Sequence, residues 1–314
     1  MKALVIASML AAAAISNGPV AAQAAAPAPA DTVALPAAAL GLETVRLWQG
    51  RAPEASSDSA AETPTLTLFR PQFNTENGTA VIVAPGGGYM ALSMILEGRQ
   101  VADWFTSRGI TAFLLQYRVG PKAHLPIPLL DGARAVRYVR ANAARFKINP
   151  NRIGMIGFSA GGHLTAMTAG KVDAGIATSS DPIERVSSRP DFAILGYPWL
   201  EGTAIEPTGK SEYCRFQGTA CDSKRYIQYR PINDVTENFP PTFIYHTTTD
   251  SIVHANGVVS FYQALVAKKV PVEMHVFANG PHGTGLGGAD PALTRWPELL
   301  EEWLRGQGLL KKAQ

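Results

Sequence analysis

The pentapeptide Gly157-Phe158-Ser159-Ala160-Gly161 sets a serine between two glycines, directly after an aliphatic run and directly before a helical one. Glycines permit the sharp strand-to-helix turn that leaves such a hydroxyl exposed as a nucleophile. Because a serine hydroxyl is a weak nucleophile near neutral pH, the pattern demands three further groups. These are a base, an acid to orient the base, and donors for the oxyanion that forms. Alone, the pentapeptide also fits a turn that merely needs glycine, so its strand and helix context carries the argument.

Candidates exist for each group. Of six histidines, His282 lies in Gly280-Pro281-His282-Gly283, a glycine-flanked loop after the last expected strand. His254, in the loop beyond Asp250, is the rival base. His163 sits four residues after Ser159 on the same helix, which does not readily curl a side chain back to the elbow. His246 and His275 fall inside strand patterns, and His124 in a proline-rich loop. Asp250 ends Thr247-Thr248-Thr249-Asp250, just past a strand and at the carboxyl edge where open parallel sheets place catalytic groups. Capping of the following helix is its bland alternative, and Glu201 or Asp191 are substitute acids. Pro85-Gly86-Gly87-Gly88-Tyr89 follows another strand, and its glycines allow backbone N–H groups to face a cleft. Gly87, Gly88 and Ala160 are the candidate oxyanion donors. A phosphate cradle is disfavoured there, because no Lys-Ser/Thr follows and no G-x-G-x-x-G is present.

The elements that must position these groups are legible from periodicity. Short apolar runs at 44–48, 65–69, 79–84, 111–117, 152–156, 192–195, 242–246 and 272–277 read as strands, several apolar throughout as strands buried on both faces must be. Between them, 96–108, 129–146, 161–171, 256–268 and 293–305 carry apolar residues at helical spacing. The alternation predicts α/β architecture: a mainly parallel sheet of about eight strands, helices on both faces, and an antiparallel pair at its start. A (β/α)₈ barrel is the alternative, disfavoured by the missing first helix and by an interruption after the sixth strand. That interruption, 196–240, carries Tyr197, Trp199, Tyr213, Phe216, Tyr226 and Tyr229 and reads as a lid-like insertion or an inert surface excursion.

Composition bounds the rest. With 314 residues, 46% hydrophobic and 17% charged, the chain suits one catalytic-size globular domain. A net charge of +3 with no Lys/Arg run longer than a pair argues against a nucleic-acid partner. Residues 1–24 read as a secretory signal: Lys2, an apolar run of 13 residues, and Ala22-Gln23-Ala24. An uncleaved anchor is the alternative, but 13 helical residues do not span a bilayer core of about 30 Å. Residues 25–39 form an Ala/Pro-rich lead-in to a domain at 40–314. The two cysteines, Cys214 and Cys221, lie seven apart, which in an exported protein favours a loop-closing disulfide over two thiols. No ligand set for a metal surrounds them.

Taken together, APGGGY (84–89), DGARAVRYVRANAARFKINPNRIGMIGFSAGGHL (131–164), PPTFIYHTTTDSIV (240–253), PHGTGLG (281–287) and the terminal Trp296, Trp303 and Leu304 resemble the α/β-hydrolase superfamily. Within it the chain is similar to exported acetylxylan esterase-like enzymes related to the hormone-sensitive-lipase group. The order Ser159, Asp250, His282 is that superfamily's order. The resemblance implies hydrolysis of acetyl or other short acyl esters through an acyl-enzyme, without metal or cofactor. Pro85 stands where lipase-like relatives carry His, which tilts the choice toward sugar esters. His254 stands where relatives often have Pro, and could line the cleft. The resemblance leaves the insertion unmatched. Tyr89, Tyr197 and Trp199 are the residues to stack on a pyranose, or else to wall the acyl pocket. A generic short-chain carboxylesterase, a serine peptidase and a silent hydrolase fold used for binding are the competing readings. Glycosidic cleavage would need paired carboxylates, which this pattern does not supply.

Overall fold

In the computed structural model, the described residues are 41–218 and 221–310. The expected signal (1–24) and lead-in (25–39) lie outside them. Alternation of side chains along each strand builds the frame. In β3 (Ala80–Ala84), Ile82 enters one hydrophobic cluster while Val81 and Val83 enter another on the opposite face, and all five residues are buried. The same alternation holds for β4 (Thr111–Gln116) and β5 (Ile153–Phe158). With β1 (Thr44–Arg46), β2 (Thr65–Phe69), β6 (Phe192–Gly196), β7 (Thr242–Thr247) and β8 (Val272–Phe277) they form one sheet in the order β1-β2-β4-β3-β5-β6-β7-β8. The pairs β1·β2 and β2·β4 are antiparallel and the rest parallel, the arrangement expected of the α/β-hydrolase fold.

Helices cover both faces. Val136 and Val139 of α2 (Ile127–Ala141), Phe146 of α3 (Ala143–Phe146) and Leu164 of α4 (Ala160–Gly170) pack on one side. Val101 and Phe105 of α1 (Gln100–Thr106) join Trp296, Leu300 and Trp303 of α8 (Trp296–Gly306) on the other. Val258, Phe261 and Leu265 of α7 (Ala255–Ala267) bury against β6 and β7 residues Leu195 and Ile244.

Three local departures have identifiable causes. The helix expected over 129–146 breaks at Asn142, whose side-chain amide donates to the Tyr138 carbonyl at 2.8 Å and leaves helical geometry. The stretch expected as one helix over 96–108 begins as a π-helical turn, Met94–Arg99, before α1. The insertion is not wholly irregular: it holds α5 (Glu212–Gln217) and α6 (Ser223–Tyr226). Each is N-capped, by Ser211 accepting from the Cys214 N–H and by Asp222 accepting from the Lys224 N–H. Cys214 and Cys221 are joined by a disulfide, with Cα atoms 5.2 Å apart.

Candidate active site

Strand ends bring the polar groups together. β5 ends at Phe158, and Ser159 turns the chain into α4 with φ 53° and ψ −119°, a left-handed conformation costly for a residue with a Cβ. The turn is tight enough that a Cβ at Gly161 would stand 2.1 Å from the Ala84 carbonyl oxygen, so only glycine fits. β7 delivers Asp250 and β8 delivers His282 at the same edge. Nδ1 of His282 lies 2.7 Å from Asp250 Oδ2, and its Nε2 lies 2.8 Å from Ser159 Oγ. An ionised carboxylate only accepts, so Nδ1 carries the proton and Nε2 faces the serine hydroxyl as acceptor. Asp250 is buried, which pushes its carboxyl upward. Hydrogen bonds from His282 and from the Val253 and Ile252 N–H groups outweigh burial and hold it below the usual carboxylate range.

Opposite the serine, β3 ends in the glycine loop. Gly87 (φ 133°) and Gly88 (φ 63°) both adopt positive φ, and a Cβ at Gly87 would stand 2.1 Å from the Ala91 carbonyl oxygen. Among the described residues no acceptor engages the N–H groups of Gly87, Gly88 or Ala160. The last of these is the first residue of α4, where the helix leaves its N–H groups unsatisfied.

Other candidates stand elsewhere. His254 is exposed at the N-cap of α7 and its side chain makes no cap hydrogen bond. Glu201 pairs with Arg230, and Asp191 with Arg140 and the Ile153 N–H. His246 is buried and bonds within its own turn, to Thr247. Tyr89, Tyr197 and Trp199, expected to meet substrate, are 0%, 1% and 5% exposed, so their ring faces are closed to a sugar. They frame the site instead. Tyr89 Oη bonds His163 Nδ1 at 2.7 Å, while His163 Nε2 donates to the Tyr229 carbonyl at 2.7 Å. Burial drives the His163 imidazole down to about 4 and keeps it neutral. Trp199 Nε1 donates to Glu212. Tyr197 packs its ring 5.0 Å from that of His282.

Residues 66–265 match the BD-FAE family. The chain belongs to that family. Two curated relatives are each 33% identical: an acetylxylan esterase of Xylanibacter ruminicola over 243 residues (74% of this chain, 45% of that protein), and an endo-1,4-beta-xylanase B of Butyrivibrio fibrisolvens over 206 residues (65% and 32%). The chain thus spans less than half the length of either. Among solved structures, an acetyl ester-xyloside bifunctional hydrolase from Caldicellulosiruptor lactoaceticus superposes with a TM-score of 0.77 at 35% identity, covering 86% of this chain and 97% of that one. The BD-FAE match includes Ser159 and Asp250 and stops short of His282.

One residue around the BD-FAE site escaped the reading from sequence, and a second was noted there only as an aromatic of the insertion. Glu97, in the π-helical turn, is buried and accepts hydrogen bonds from the Gly86 N–H and the Tyr197 hydroxyl. An acidic residue inside an apolar helical pattern was its only signal. Phe216, on α5, is 49% exposed, and its Cδ1 is 3.9 Å from where a Cβ on Gly88 would stand. It meets Trp199 edge-on at 5.5 Å. Met90, 42% exposed, is contacted by the side-chain amide of Gln217, the residue after Phe216. Among the described residues no three His, Cys, Asp or Glu side chains gather to hold a metal, and no helix is long and apolar enough to cross a membrane.

Proposed function

We propose that this BD-FAE member is an exported serine esterase that removes short acyl groups, chiefly acetyl, from plant polysaccharide or its oligomers. The observation that carries the reading is the hydrogen-bonded line Ser159–His282–Asp250, set beside a glycine loop and a helix start where the N–H groups of Gly87, Gly88 and Ala160 have no acceptor among the described residues. In this mechanism Ser159 Oγ attacks the ester carbonyl while His282 Nε2 takes its proton. The three N–H groups receive the negative charge that develops on the carbonyl oxygen. Asp250 stays ionised and stabilises the imidazolium. Collapse of the tetrahedral intermediate breaks the ester C–O bond, the leaving sugar oxygen takes the proton from His282 to become a hydroxyl, and acetyl remains on Ser159. Water then attacks the acetyl carbonyl as His282 takes its proton, and collapse of the second tetrahedral intermediate breaks the bond to Ser159 Oγ, which regains the proton from His282 as acetate leaves.

The acetylxylan esterase and the acetyl ester-xyloside hydrolase among its relatives support the acetyl-sugar choice. The exposed Phe216 ring beside Gly88 is the face on which the alcohol side of the substrate rests, since the acetyl group itself is too small to reach the rim. The disulfide supports export to an oxidising compartment. The test is acetate release from acetylated xylan by the purified protein and by Ser159→Ala. Release by the first and none by the second is expected, and equal release by both would refute the mechanism. Turnover of p-nitrophenyl acetate without release from any polysaccharide would refute the substrate.

A further inference from the structure

We infer that Glu97 is a positioning residue that holds the oxyanion loop and the histidine loop in register with one another; this rests on the serine-esterase reading. Both of its carboxylate oxygens are committed. Oε2 accepts the Gly86 N–H at 2.7 Å, one residue before the first candidate donor, Gly87. Oε1 accepts the Tyr197 hydroxyl at 2.6 Å. The Tyr197 oxygen in turn accepts the Gly285 N–H at 2.9 Å, three residues beyond His282, and the Tyr197 ring packs against the imidazole. One side chain therefore ties the loop after β3 to the end of β6 and to the loop after β8.

The local chain is shaped around that contact. A Cβ on Gly86 would stand 2.7 Å from Glu97 Oε2 and 2.9 Å from Ser159 Cβ, so the bare backbone there separates the carboxylate from the nucleophile. Tyr197 holds φ 32°, a strained value for a residue with a side chain. Met94–Arg99 is a π-helical turn, a form found mostly as a single turn at functional sites. Burial raises the Glu97 carboxyl above its usual range, and the hydrogen bonds from Tyr197 and Gly86, with His282 nearby, offset only part of that rise. Because both neighbours donate, an ionised carboxylate serves both at once, whereas a carboxamide must turn its NH₂ toward one of them. Glu97 does not bond His282, so it acts through Gly86 and Tyr197 and touches no reacting atom.

The experiment compares Glu97→Gln, Tyr197→Phe and the double variant with wild type in steady-state hydrolysis of p-nitrophenyl acetate, alongside thermal unfolding. With the loops out of register, kcat should fall about 10- to 100-fold in each single variant while KM changes less than about twofold. The double variant should fall no further than the weaker single, because both break one chain of contacts. Unchanged kcat in a folded Glu97→Gln, with or without a lowered Tm, would overturn the inference, as would multiplying effects in the double variant. If Glu97→Gln does not fold, Tyr197→Phe decides alone: reduced kcat at near-native Tm supports the role, and unchanged kcat refutes it. Wild-type turnover in Ser159→Ala would instead refute the serine-esterase reading on which the inference stands.

Discussion

The strand-end loops and the insertion between β6 and β7 border the same serine but are held by different means. Ser159, Gly87 and Gly88 are fixed by short turns with positive φ, and Asp250 and His282 by hydrogen bonds at the ends of β7 and β8. The insertion is pinned by aromatic edges, from Tyr213 to Tyr226 at 4.6 Å and from Trp199 to Phe216 at 5.5 Å, and by one disulfide. The first construction tolerates almost no displacement of a reacting group. The second sets the shape of a rim and leaves one ring face open. On the proposed esterase reading, bond breaking falls to the strand ends and substrate choice to the insertion.

Substitutions at the strand ends should remove activity on every ester. Ser159→Ala or His282→Ala should lower kcat by about 10⁶-fold and Asp250→Asn by about 10⁴-fold, on p-nitrophenyl acetate and acetylated xylan alike. A strand-end variant that lost only the polymer would break the division. His163 joins the two regions through Tyr89 and the Tyr229 carbonyl. Its imidazole is held near 4 in the folded protein, whereas the unfolded chain binds that proton below about 6.5. Its contribution to stability is therefore full above pH 6.5 and is lost as pH falls toward 4, by roughly 3 kcal/mol in total. Unfolding midpoints measured across that range should slope downward in wild type and less so in His163→Gln.

Within the insertion, replacing both cysteines by serine should cost about 2 kcal/mol of stability, the loop-closure entropy of a short ring. Denaturant unfolding with and without reductant checks this, with activity on p-nitrophenyl acetate retained. Phe216→Ala should have the smallest effect. Its kcat/KM on acetylated xylooligosaccharides should fall about five- to tenfold, the value of one aromatic contact, with less than a twofold change on p-nitrophenyl acetate. Equal losses on both substrates would move Phe216 from selection to chemistry.

The frame of this division was readable from residues. Apolar runs such as 79–84 announced strands buried on both faces, and the glycines around Ser159 announced a sharp turn, one that the structure shows only glycine permits at Gly161. Periodicity does not report how a helical pattern winds, so the π-helical turn that carries Glu97 was read as ordinary helix. Side-chain exposure within the insertion was equally hidden. Tyr89, Tyr197, Trp199 and Phe216 are all aromatic, and only three-dimensional packing separates the three buried rings from the half-exposed one. The helices α5 and α6, six and four residues long, are too short to show a repeating apolar stripe, so neither was legible.

In the proposed esterase cycle an acyl group passes through Ser159. The most direct measurement is mass spectrometry of protein quenched by acid during turnover of an acetyl ester, followed by proteolysis. Acetyl should appear on the peptide containing Ser159, at higher occupancy when a better leaving group speeds acylation, and nowhere in Ser159→Ala. Sustained wild-type turnover by Ser159→Ala, or acetyl trapped on another residue in its place, would contradict it.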